Sequence, residues 1–168
     1  GTLLDRFLER AYRRPPTDGE LQKYATLFEE ARSEFGFADG LEMVIQVTLQ
    51  SPQFLYRIKP VGEAAEGETH RLDGYEVASR LSYLLWASAP DDQLMDAAAE
   101  GRLQTREQIR AQARRMLEDP RAKNAVYQFH RQWLHLDELD SLAKDAETYP
   151  DFEPSMTEDW KASIRRFV

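Results

Sequence analysis

The chain has 168 residues, enough for one ordinary domain or two small helical ones, and 42% apolar content supplies a real core and excludes global disorder. A formal charge of −8 argues against general nucleic-acid affinity, which needs a basic footprint. With no cysteine, the chain holds no disulfide, thiolate zinc site, cysteine nucleophile or covalently attached c-type haem.

No run approaches the ~20 apolar residues of a membrane span, and no signal peptide is visible at the start. The sequence begins inside one helical pattern and stops inside another, so it reads as a piece of something longer.

In chain order, Leu3, Leu4, Phe7, Leu8 and Ala11 recur at the helical period until Pro15 and Pro16 stop the run. Thr17 with Glu20 is a capping box that opens a second helix to about Phe35, and Gly36 fits the left-handed position after it. A third helix places Leu41, Val44, Ile45, Thr48 and Leu49 on one face. Ser51 followed by Pro52 starts a short helical turn. The glycine- and glutamate-rich stretch 60–70 has little to bury and reads as a linker.

The segment 72–86 has the densest apolar pattern. Asp73 and Glu76 cap it, Leu72 is a hydrophobic staple, and Val77, Ala78, Leu81, Leu84 and Leu85 form the expected buried face. Pro90, Asp91 and Asp92 begin a helix that ends at Gly101. Thr105 and Gln108 cap another, and Asp119-Pro120 starts a long helix over Ala122, Val126, Phe129, Trp133 and Leu136. From 137 to 159 the chain carries nine carboxylates against the single Lys144, and a last helix follows with Met156, Trp160, Ile164 and Phe167 in register. The expectation is an all-α fold of about eight helices without a sheet, in two packed subdomains: 1–59, and 71–168 after the 60–70 linker, the second truncated at its end.

Candidate sites are few. His130 and His135, about 140° apart at about 100° per helical residue, cannot chelate one ion together, and His70 sits in the linker. Asp145, Glu147 and Asp151 offer hard oxygen ligands for calcium. The segment lacks an EF-hand's glycine and terminal glutamate, so a solvated loop is the stronger reading. Arg102, Arg106, Arg110 and Arg114 recur every four residues. Relative to Ile109 the last three fall at roughly 60°, 100° and 140° (about 100° per residue), along the shoulder of a helix. There they serve as ion-pair partners or as an anion site. Arg80, at the edge of the central pattern, has Glu76 or the Asp91–Asp92 pair as candidate partners. Trp86, Trp133 and Trp160 continue apolar patterns and are expected in the core. The Gly101 turn is a weak helix-turn-helix candidate that the overall charge weighs against. There is no nucleophile–base pair, phosphate-binding glycine loop or HExxH, and catalytic residues and metal ligands are left unassigned.

Two long phrases carry a resemblance. AYRRPPTDGEL at 11–21, with SPQFLYR at 51–57, resembles the domain-of-unknown-function family numbered 1595. LDGYEVASRLSYLLWASAPDDQLMDAAAEGRL at 72–103, with RRMLEDPRAKNAVYQFHRQWLHL at 114–136, resembles family 1592. The resemblance implies a large periplasmic, secreted or cell-surface multidomain protein of planctomycetes, myxobacteria and similar bacteria. It often has a cytochrome-c-like haem segment outside the part seen here. No cofactor is expected in this chain, and its implied partners are neighbouring domains of the same protein. The leading expectation is a structural or interaction module of that protein. Its rivals are part of an oxidoreductase or polysaccharide-acting enzyme completed by other domains, and an anionic-carbohydrate binder using the arginines. The recurring phrase positions Arg13, Arg14, Pro15, Arg80, Trp86 and Trp133 are equally explained by capping, pairing and packing.

Overall fold

A computed structural model describes residues 2–56 and 71–167. The expected linker, 60–70, with its His70, lies outside the described residues. Among these the fold is all-α, without a strand. The helices are α1 (Leu3–Tyr12), α2 (Asp18–Phe35), α3 (Phe37–Leu49), α4 (Pro52–Leu55), α5 (Gly74–Trp86), α6 (Asp92–Ala99), α7 (Arg106–Glu118), α8 (Pro120–Trp133) and α9 (Met156–Phe167). A 3₁₀ helix, Leu136–Ser141, follows α8. No described helix is long and apolar enough to cross a membrane.

The helix starts follow from side chains that replace missing backbone partners. Reciprocal capping boxes join Thr2 to Asp5, Thr17 to Glu20, Asp73 to Glu76 and Thr105 to Gln108. Ser51 and Asp91 cap α4 and α6, and Asp119 caps α8 ahead of a first-turn proline.

The chain divides into two compact units, Gly1–Leu81 with Ala89–Ile109, and Ser82–Ser88 with Arg110–Val168. In the first, α2 and α3 form a hairpin turned at Gly36, whose φ of 99° suits a residue without Cβ. Leu8, Tyr12, Tyr24 and Val44 make its core, with Leu4, Phe7, Leu21, Leu27 and Phe28 packed against them. The start of α5 lies against the end of α6. A Cβ on Gly74 would stand 2.8 Å from the Ala98 carbonyl oxygen, a backbone atom that cannot swing aside. In the second unit Trp86, Met116, Ala122, Tyr127, Leu136 and Thr157 are buried.

Three expectations from periodicity are corrected. On α5 the fully buried positions are Ala78, Ser82 and Trp86, one every fourth residue, while Leu84 is 75% exposed. Leu84 lies about 120° from Ala78 around the helix, beyond the buried arc. The long helix ends at Trp133 and not at Leu136, because His135 takes a left-handed conformation (φ 52°) that cannot continue it. Finally, the inward residues of α8 are Ala122 and Tyr127, so Val126, Phe129 and Trp133 face outward; Trp160 is exposed as well.

Gly74→Ala forces its methyl into the Ala98 carbonyl and should destabilise the fold by about 1–3 kcal/mol. Gly19→Ala meets open space and should stabilise slightly, because α2 gains a better helix former. Paired urea melts check both; equal stability of the two variants would refute the close approach.

Candidate functional site

The arginine of the first family phrase takes a structural place. Arg13 ends α1 in a left-handed conformation (φ 59°, ψ 25°) and is 7% exposed. Its guanidinium donates to the carbonyls of Ala11 (3.2 Å), Gln53 (2.7 Å), Phe54 (3.3 Å) and Tyr56 (3.2 Å). Only a planar fork of donors reaches carbonyls of two helix ends at once. It therefore satisfies the open C-terminus of α4, too short to organise itself. The two parts of the phrase, 11–21 and 51–57, meet at this contact.

Arg14 forms a bidentate pair with Glu20 (2.9 and 2.7 Å), which also accepts the Thr17 amide at 2.8 Å. The Arg14 guanidinium holds the Glu20 carboxyl down at about 2. Beside them Tyr12 and Tyr24 share one buried hydrogen bond of 2.6 Å between their hydroxyls. Burial pushes the Tyr12 phenol up to about 12.

The second phrase centres on Trp86, 3% exposed, whose Nε1 donates to the Met116 carbonyl at 2.8 Å. Arg121 lies over its ring, the guanidinium carbon 3.5 Å from the centroid. The other edge of Arg121 is bidentate to Asp119 (2.9 and 2.7 Å), which keeps the Asp119 carboxyl at about 2 while it caps α8. Ring, cation, carboxylate and helix start thus form one chain of contacts.

The other sequence candidates are dispersed. Arg80, Arg106, Arg110 and Arg114 are exposed, and none is in an ion pair among the described residues. Asp145 accepts the amides of Glu147 (2.7 Å) and Thr148 (3.4 Å), an Asx turn, with Glu147 and Asp151 exposed. Among the described residues no group of three or more His, Asp or Glu is placed to hold a metal ion. His130 has Nδ1 2.8 Å from the Val126 carbonyl, and His135 lies 3.4 Å from Glu138 outside the helix.

Two surface features were not seen in the sequence. On α8 the rings of Phe129 (62% exposed) and Trp133 (65%) lie 5.9 Å apart, with His130 beside them and Val126 one turn earlier. Their spacing was legible, but it cannot tell an inward face from an outward one. The second is a basin of about 480 Å³ lined by Lys123, Asn124 and Tyr127 of α8 and by Arg165, Arg166 and Phe167 of α9.

Residues 72–168 match the family model PSD4, a protein of unknown function (DUF1592). The chain belongs to that family. Residues 2–59 match PSD5, a second protein of unknown function (DUF1595), so both families and their order are those the two phrases imply. Arg13 and the α4 carbonyls it holds lie within or beside the DUF1595 match, and Trp86, Asp119 and Arg121 within the DUF1592 match. Neither the comparison with curated proteins nor that with solved structures gives a match.

Replacing Arg13 leaves several carbonyls short of a donor, so Arg13→Met should cost about 2–3 kcal/mol. Arg13→Gly, which removes any backbone strain, should rescue only a small part of it. Full rescue by glycine in denaturant melts would show that the guanidinium contacts contribute little. A second expectation concerns alkaline pH. A phenol with a folded pKa near 12 against an ordinary value of about 10 stabilises the fold fully below pH 10. That contribution drains away between pH 10 and 12, as the unfolded chain ionises first. Tyr12→Phe should flatten this alkaline limb, read as melting temperature against pH.

Proposed function

We propose that this chain is a structural and interaction module, without a catalytic centre of its own, in a larger extracytoplasmic protein in which any haem-bearing segment lies elsewhere in the polypeptide. The observation that carries the reading is the outward aromatic face of α8, Val126, Phe129 and Trp133 at helical spacing. A surface helix usually turns such residues inward, and contiguous exposed apolar patches mark interaction surfaces. In the other unit Leu41, Ile45 and Leu49 of α3 repeat the arrangement more weakly. At about 25 cal/mol per Å², covering the outward parts of the Phe129 and Trp133 rings is worth several kcal/mol. The occupant proposed is a neighbouring domain of the same protein, in keeping with the succession of two family segments along this sequence.

Tryptophan quenching tests it. Trp86 is buried, so in a Trp160→Phe background Trp133 is the reporter that acrylamide reaches. Quenching should fall several-fold when the chain is embedded in its full-length protein, and Trp133→Glu should weaken association of separately expressed halves. Equal quenching in both contexts would overturn the docking role. Turnover of a substrate by this chain alone would overturn its non-catalytic standing.

A further inference from the structure

We propose that the basin between α8 and α9 is a binding site for a small molecule carrying a phosphate or sulfate ester on a ring-shaped body. Lys123, Arg165 and Arg166 surround it, and no carboxylate is among the described side chains that line it. Elsewhere in the same unit Arg121 is held by Asp119, Arg131 by Asp137, and Lys161 by Asp140 and Glu158, while the exposed Arg110 and Arg114 are not among the residues lining this basin. Lys123, Arg165 and Arg166 take part in no ion pair among the described residues, although the chain as a whole carries eight more negative than positive charges.

The two arginines alone would need no ligand, since the last turn of a helix favours cations. Lys123 is different. It stands near the start of α8, an end that favours anions and that Asp119 caps, so its charge there is not the one the helix favours, and it faces the same basin as Arg165 and Arg166. Three like charges brought to one concavity repel one another unless an anion sits among them, and a tetrahedral oxyanion answers that arrangement. Arg165 is pre-set for the role. Its guanidinium carbon lies 4.4 Å from the centroid of the nearly buried Tyr127 ring, which holds the plane while its edge stays available.

The rest of the lining recognises a body attached to the anion. The Asn124 amide can both donate and accept. Phe167 adds an apolar ring at the lip. The volume, about 480 Å³, has room for a single ring with its ester group.

Calorimetric titration of the whole chain with phenyl phosphate, glucose 6-phosphate, phenyl sulfate and inorganic phosphate tests the site. At least one ester should bind saturably, more tightly than inorganic phosphate and more weakly as salt is raised. The double variant Arg165→Ala, Arg166→Ala should lose at least tenfold in affinity, and Lys123→Ala several-fold. Phe167→Ala should weaken the ester several-fold and leave inorganic phosphate unchanged. Arg106→Ala with Arg110→Ala is the control and should change nothing. All these side chains are exposed, and circular dichroism confirms that the variants fold. The relative affinities of the phenyl and sugar esters identify the body. Absence of saturable binding, equal binding by the arginine double variant, loss of binding in the control, or an affinity for inorganic phosphate matching the esters would each overturn the proposal. Tighter binding of a short oligonucleotide than of any ester would also overturn it, in favour of a nucleic-acid surface.

Discussion

Helix ends are the constraint on which this fold depends. Every α-helix leaves four amides and four carbonyls without internal partners, and a chain of many short helices meets that cost repeatedly. Here the solutions are side chains close in sequence at the starts and one distant arginine at an end. Capping boxes serve α1, α2, α5 and α7. Arg13 serves α4 from forty residues away. Three of the four core residues of the first unit, Leu8, Tyr12 and Tyr24, lie on helices whose starts are fixed in this way.

The local part of this solution was legible. Thr17 with Glu20, Asp73 with Glu76 and Thr105 with Gln108 are three-residue patterns whose geometry follows from helix pitch alone. Family phrases were legible for the same reason, being contiguous strings. Orientation around the helix was not. Leu84, Phe129 and Trp133 keep apolar spacing and yet face outward, because which arc is buried depends on the neighbouring element and not on the helix itself. Helix α8 stops at Trp133 because His135 adopts a conformation that its residue type does not advertise. The basin was invisible because it joins Lys123 to Arg165 across more than forty residues.

Charge is distributed by unit and not by total. The acidic balance that argues against a nucleic-acid partner coexists with a basin whose described lining is cations, polar groups and rings. Net charge describes the far field, and the near field at a given concavity is set by which side chains fold places there. The arginine series of α7 shows the converse: even spacing in sequence spreads the side chains around the helix, and they do not converge.

The Arg13 contact also bears on the order of events in folding. The α2–α3 hairpin forms from residues near one another in sequence, so it can assemble early. The guanidinium reaches Gln53 and Tyr56 only after the intervening chain has been laid down, and closing that long loop is paid in entropy before any bond is made. Arg13 is thus a latch: one side chain closes a loop of forty residues and holds the end of α4 against the end of α1.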